Sequence, residues 1–227
     1  MTDTPGYVHL RRVAMSLAIL GGPVAFDIGG ALAPAIHDTA EASIAANLAA
    51  NPIVNNVHLA LFVVASYLLP LGVVGLALLT YRRAPWLATL GGLIGVIGWA
   101  PFSALTVLDD ATVRMAELPG AGSYAALLDR FTNDPVMLSY LLIYIVGHLV
   151  AYVLLGAALL RARLVPRWAG WAIVVSSPLQ VLAFALPGSP RLIGGIALTL
   201  LVLGSIPAAM RALTGEEPAL TGAEAAR

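Results

Sequence analysis

The chain has 227 residues, of which 59% are hydrophobic and 11% charged, and its formal net charge is zero. This composition is too apolar for an ordinary soluble domain and is typical of a multi-pass membrane protein. Cysteine and lysine are absent, which excludes disulfides, thiolate metal sites and lysine Schiff-base chemistry. The sequence also contains no glycine-rich phosphate loop, catalytic zinc helix, nucleophile elbow or nucleic-acid-binding patch.

Six segments are apolar and long enough to cross a hydrocarbon core of about 30 Å at a rise of about 1.5 Å per residue. We therefore predict an all-α polytopic membrane helix bundle in one domain, residues 1–212, followed by a disordered cytoplasmic tail, residues 213–227. The predicted spans are Val13 to Ala33, His58 to Leu79, Trp86 to Val107, Val136 to Leu160, Trp168 to Leu186 and Leu192 to Met210.

Arginine is unevenly distributed between the loops. Nine of the twelve basic residues lie in the two termini and in the second and fourth loops, and three lie in the other loops. Because cytoplasmic segments are enriched in positive charge, this distribution predicts that both termini are cytoplasmic and that the first, third and fifth loops lie outside.

The first span contains a carboxyl group, Asp27, in an otherwise apolar run. A charged side chain at the centre of a membrane helix costs about 2.5 to 3.5 kcal/mol on insertion scales. Asp27 therefore needs either a partner or a proton. The same residue interrupts the run and argues against a cleaved signal peptide, whose apolar region is short and uncharged.

The first loop, Pro34 to Val57, predicts a short external helix. Asp38 is the expected cap of its N-terminus, with Glu41 three residues later, and Asn51-Pro52 is its expected end. His37 with Asp38 and Glu41 provides too few ligands to predict a metal site. His58, at the start of the second span, is expected at the outer interface with its polar tip exposed.

The third loop, Leu108 to Pro135, is the longest. Pro119-Gly120 predicts a break, and Ser123 is the expected cap of a short helix that ends at Arg130. The loop contains five carboxylates and two arginines. This excess of acidic residues is typical of a solvated surface; the alternative is that the loop attracts cations to the outer face.

The fourth span contains four aromatic residues with polar groups at intervals of four, Tyr140, Tyr144, His148 and Tyr152. On a helix they form one slowly drifting stripe, which we expect to face the interior of the bundle. Beside the stripe, Gly147 and Ala151 have the small-xxx-small spacing that allows close helix packing, as do Gly91 and Gly95 on the third span.

Several polar residues of the other spans fall at a similar depth in the outer half of the membrane. By helical rise, Asp27 lies about 9 Å below the outer boundary, Tyr144 about 12 Å and His148 about 18 Å. Tyr67 and Gln180 fall at about 15 Å and about 12 Å, with Ser177 slightly deeper. A common pocket in the outer half is therefore geometrically possible.

Three classes of function fit these residues. The preferred hypothesis is a pocket for a membrane lipid or small lipophilic molecule, lined by Asp27, Tyr144 and His148. The second is an enzyme acting on an isoprenoid or lipid, with Asp27 as acid and His148 as base. The third is an accessory subunit in which these polar residues only hold helices together. In the first two cases the candidate ligand-binding residues are Tyr67, Tyr140, Tyr144, Tyr152, Ser177 and Gln180. No cofactor, metal or nucleic-acid partner is expected, whereas a homo-oligomer or a partner membrane protein is.

A weak repeat links the second and fourth spans. Gly75-Leu-Ala-Leu-Leu, followed by Arg82, Pro85 and Trp86, is echoed about 81 residues later by Gly156-Ala-Ala-Leu-Leu with its own Arg, Pro and Trp. The pattern is compatible with parallel repeats in which Tyr67 matches His148, and equally with chance similarity between interfacial helix ends.

Two helix-end motifs, Leu48-Ala-Ala-Asn-Pro-Ile and Gly156-Ala-Ala-Leu-Leu-Arg-Ala-Arg-Leu-Val-Pro-Arg-Trp-Ala-Gly, carry a resemblance to a known family. With the cap-rich first loop, they resemble the DUF4386-type family of small bacterial integral membrane proteins, over most of the chain. The resemblance implies a six-helix, multi-pass protein of the bacterial inner membrane. It implies no catalytic residue, because the family has no established activity.

Overall fold

The computed structural model describes residues 6–34, 39–185 and 190–215, and every regular element in these ranges is helical. Six of the nine α-helices in these ranges form a bundle, and the other three lie together at one end of it. A 3-10 helix spans Ala121–Tyr124. The α-helices are α1 Gly6–Leu32, α2 Ala40–Ala49, α3 Pro52–Thr80, α4 Pro85–Trp99, α5 Phe102–Glu117, α6 Ala125–Thr132, α7 Pro135–Ala162, α8 Arg167–Ala185 and α9 Pro190–Thr214.

The bundle helices pack in chain order into a closed ring, in which α1 contacts α3, then α4, α7, α8 and α9 follow, and α9 returns to α1. Neighbours in the ring are antiparallel. At one end of the α1–α9 pair Arg12 donates to the carbonyl of Thr214, and at the other Arg191 donates to the carbonyl of Ala33. The centre of the ring is filled by apolar and aromatic side chains.

Five segments of the described chain are long and apolar enough to cross a membrane, and this confirms the prediction of an all-helical, multi-pass membrane protein. The fifth predicted span, Trp168 to Leu186, corresponds to α8, a helix of 19 residues that is not among these five segments. The five segments are Gly6–Leu32, Pro52–Thr80, Pro85–Glu117, Pro135–Ala162 and Arg191–Thr214.

The third predicted span is not one straight helix. It is broken at Ala100-Pro101, where α4 ends and α5 begins, because the proline ring removes a donor and clashes with the preceding turn. Beyond the break, α5 continues through Glu117. The first part of the predicted third loop, from Leu108 onward, is therefore helical, and the predicted boundary there was wrong.

The helix ends confirm some predicted caps and correct others. Helix α2 exists, but its N-cap is Thr39, which accepts from the amide of Ala42; Asp38 lies outside the described residues. Helix α2 ends at Ala49, just before the predicted end at Asn51-Pro52. Asn51 caps α3 with its side chain, so α3 begins at Pro52, within the predicted first loop. Ser123 caps nothing, because it lies inside the 3-10 helix and its amide donates to the carbonyl of Gly120, a residue at φ 70°.

Close packing of α4 against α7 positions the functional candidates. A Cβ atom added to Gly98 would overlap the backbone of Gly147 and His148, and one added to Gly91 would lie 2.9 Å from a Leu155 side-chain carbon. The helices therefore approach at backbone contact through their small residues, as predicted for Gly147. At the other boundary, α9 continues through Thr214, two residues past the predicted end of the domain; residues 216–227 lie outside the described chain.

Candidate functional site: a polar and aromatic cluster between α4, α7 and α8

The aromatic stripe of α7 turns progressively into the bundle along the helix. Tyr140 is 42% exposed, Tyr144 is half-buried, and His148 and Tyr152 are only 3% and 2% exposed. The reason is geometrical: four residues advance about 400° on a helix of 3.6 residues per turn, so the stripe drifts by about 40° at each step. The stripe therefore faces the interior at its deep end only.

Trp99, the last residue of α4, is at the centre of this cluster and almost fully buried. Its ring centroid lies 4.8 Å from that of His148, 5.5 Å from that of Tyr144 and 6.2 Å from that of Tyr152. The break at Pro101 places Phe102 beside the same group. Its ring stacks on that of Tyr144, with the ring centroids 5.5 Å apart and an angle of 17° between the ring planes. Such contacts stabilise an aromatic group beyond its burial alone.

His148 connects α7 to α8. Its Nδ1 contacts the carbonyl of Tyr144 one turn earlier, and its Nε2 lies 3.3 Å from Oε1 of Gln180. Because a carbonyl only accepts, Nδ1 carries a proton. Nε2 then either donates to Oε1 in a doubly protonated ring or, in the neutral ring, accepts from a Gln180 amide turned by 180°, since the two amide atoms have nearly the same shape.

Two polar atoms of α8 lack a hydrogen bond within the described residues, Oγ of Ser177 and Nε2 of Gln180, and both are buried. The two residues are three positions apart and thus share a face of the helix. Ser176 differs, because its hydroxyl donates to the carbonyl of Ile173 at 2.7 Å. An unpaired buried polar group costs about 1 to 3 kcal/mol, so these two atoms destabilise the folded protein as long as nothing binds to them.

The structure does not bring every predicted site residue to this cluster. Tyr67 is 69% exposed on the outside of α3. Asp27 faces α9, where the hydroxyl of Thr199 donates to its Oδ2 at 3.5 Å, and no hydrogen bond or ion pair of the described residues joins Asp27 to His148. The cluster therefore contains Tyr144, His148, Tyr152, Ser177 and Gln180, but lacks the acid required by the acid–base hypothesis.

His58 does not have the exposed polar tip expected at a membrane interface. It is completely buried, with Nδ1 3.1 Å from the carbonyl oxygen of Gly29 and Nε2 2.9 Å from Oδ2 of Asp109. The expectation of an exposed tip failed because α3 begins at Pro52 and α5 extends over it. The available signal was Asn55, three residues earlier, which predicts a polar face at this end of α3.

Most carboxylates of the predicted third loop are paired. Asp109 faces His58. Arg114 contacts two carboxylates, with its Nε 3.1 Å from Oδ1 of Asp110 and its Nη1 2.8 Å from Oε2 of Glu117. Asp134 caps α7. Within the described ranges, no group of three histidine or acidic side chains could hold a metal ion. His37 and Asp38 are outside those ranges.

Comparison of the chain with protein-family models, with curated proteins and with solved structures found no match.

Proposed function

We propose that this protein crosses the bacterial inner membrane six times, with both termini cytoplasmic, and that it belongs to the DUF4386-type family. The antiparallel ring supports six spans: α9 runs opposite to α1, and α8 packs between α7 and α9. At about 1.5 Å per residue, 19 residues of α8 extend about 28 Å, close to the thickness of the hydrocarbon core.

The native chain has no cysteine, so single cysteines can be labelled unambiguously in spheroplasts with a membrane-impermeant maleimide. Six spans predict that Ser123→Cys reacts from outside, whereas Tyr81→Cys and Thr214→Cys react only after the membrane is permeabilised. If α8 does not cross, the direction of α9 is reversed and Thr214→Cys reacts from outside. That outcome would reduce the number of spans to five.

We further propose that the protein binds a small lipophilic molecule at the cluster between α4, α7 and α8. The observation that carries this proposal is the pair of buried, unpaired polar atoms on Ser177 and Gln180, beside the stacked rings of Tyr144 and His148. The Ser177 hydroxyl both donates and accepts, and the unpaired Gln180 atom is a donor or an acceptor according to the orientation of its amide. Their complement is a polar group of a ligand, such as a hydroxyl, whose flat or apolar part lies against the rings.

The outer half of α7 provides the route into this cluster. Its large apolar residues are exposed on most sides of the helix, so little protein packs against α7 outside Tyr144. A lipophilic molecule could enter laterally from the bilayer. The exposed residues are Val136, Leu138, Leu141, Leu142 and Ile143.

The experiment is mass spectrometry of small molecules that copurify with the full chain in lipid nanodiscs, combined with thermal unfolding. We expect Ser177→Ala to lose the copurifying molecule. The free energy of unfolding of the ligand-free protein should rise by about 1 kcal/mol, because the substitution removes an unpaired buried hydroxyl. Gln180→Leu should lose the copurifying molecule as well.

Tyr67→Phe is the matched control, since it removes a hydroxyl from an exposed position of the same protein. It should leave both the bound molecule and the melting temperature unchanged. Unchanged small-molecule content in the α8 variants, together with a loss of stability, would instead favour the accessory-subunit function, in which these groups only hold helices together.

A further inference from the structure

A second feature of the outer half is a shallow groove on α9, separate from the cluster around His148. It follows one helical face from the outer end of α9 toward the middle, and its lining residues are Arg191, Leu192, Gly195, Ile196, Thr199 and Leu200. From Arg191 to Leu200 the groove spans ten residues, which corresponds to about 14 Å along the helix axis, close to the depth of one leaflet in a core of about 30 Å.

Arg191 provides a cation at the outer end of this groove. One of its nitrogens, Nη2, donates to the carbonyl of Ala33 at 2.6 Å, which ties α9 to the C-terminus of α1. A guanidinium has five N–H donors, and no carboxylate of the described residues pairs with this one. Arg114, also in a loop predicted to lie outside, is by contrast held by Asp110 and Glu117.

The remainder of the groove is apolar and has room for a chain. An added Cβ on Gly195 would meet nothing within 4 Å, and Leu192 and Ile196 beside it are exposed. At the deep end, the hydroxyl of Thr199 is turned toward Asp27. The groove thus has a guanidinium at the membrane surface and hydrocarbon below it.

We propose that this groove holds a phospholipid of the outer leaflet, with its phosphate on Arg191 and one acyl chain along Gly195. The charge favours this occupant, since guanidinium binds phosphate through paired N–H donors. The order of the groups matches a lipid, whose phosphate lies at the surface and whose chain points inward. The proposal depends on the outer position of Arg191 and is independent of the ligand proposed for the His148 cluster.

The test uses the full chain in nanodiscs and native mass spectrometry after gentle release. Phosphatidylglycerol is compared with a galactosyl diacylglycerol that has the same acyl chains but no phosphate. We expect wild type to retain phosphatidylglycerol, and Arg191→Gln and Gly195→Leu each to retain at least tenfold less. Gly195→Leu places a side chain in the groove, and its Cβ would meet no atom within 4 Å, so its melting temperature should remain close to that of wild type.

Arg130→Gln is the matched control, because it removes another exposed arginine from a loop predicted to lie outside. It should retain as much phosphatidylglycerol as wild type. Equal retention of the phosphate-free lipid by wild type would overturn the proposal, and so would equal losses in Arg130→Gln and Arg191→Gln. Loss of lipid in these variants with an unchanged copurifying small molecule would leave the His148 proposal intact.

Discussion

Two buried histidines of this protein have similar exposure but different surroundings. His58 lies between α1, α3 and α5, and its two ring nitrogens face the carbonyl of Gly29 and the carboxylate of Asp109. His148 lies between α7 and α8, and its second nitrogen faces the uncharged amide of Gln180 at a longer distance. One ring contacts a charged group, whereas the other contacts only neutral ones.

This difference in surroundings indicates different roles for the two histidines. Two oxygens facing both nitrogens of His58 require a proton on each side of the ring or on Asp109, which makes this an ion pair or its neutral equivalent and holds three helices together. Both regions contain buried polar atoms without a hydrogen bond, Oδ1 of Asn55 and Nε2 of His58 in one and atoms of Ser177 and Gln180 in the other. Only Nε2 of His58 faces a carboxylate, at 2.9 Å. We infer that the ionic contact makes the His58 region structural, and the ligand proposed above would occupy the neutral His148 region.

The largest expected loss of stability comes from a substitution that forces α4 away from α7 next to His148. Gly98→Leu forces a side chain into the backbone of Gly147 and His148, and overpacking of a tight core costs about 3 kcal/mol or more at such a contact. Thermal unfolding in nanodiscs should show a large drop in melting temperature. Gly195→Leu, where an added Cβ meets open space, should show almost none, and a similar drop in both variants would contradict backbone contact.

An intermediate effect is expected at His58. Asp109→Leu removes the carboxylate that faces the fully buried Nε2 of His58; because the Asp109 side chain is itself 33% exposed, we expect a cost of about 2 kcal/mol. The control is Asp110→Leu, which disrupts only an exposed ion pair with Arg114 and should cost less than about 1 kcal/mol. Equal unfolding midpoints for the two variants would show that His58 is not a structural centre.

The smallest expected effect on stability is at Gln180. Gln180→Leu loses a long hydrogen bond to His148 but also removes an unpaired buried amide nitrogen, and these two changes offset each other to within about 1 kcal/mol. The free energy of unfolding should therefore change less than in Asp109→Leu. A larger loss at Gln180 would reverse the distinction between the two histidine regions.

The sequence was sufficient for the helices and their order, because apolar runs of about 20 residues and caps such as Asn51 act locally. It also predicted the approach of α7 through Gly147. It failed at His58, since the burial of a residue near a helix end depends on α5, a helix that the break at Pro101 redirects. It could not separate Asp27 from His148, because equal depth does not determine which helices are neighbours.

The chain by itself determined that this is an apolar bundle of antiparallel helices with a few polar residues inside it. Hydrophobicity and helical period follow from residue order alone. Only the tertiary structure decided that the helices close into a ring, which places Asp27 of α1 against α9 and Gln180 of α8 against His148. The reason is that a side chain's partner is set by the rotation of each helix about its axis, and packing against neighbours fixes that rotation.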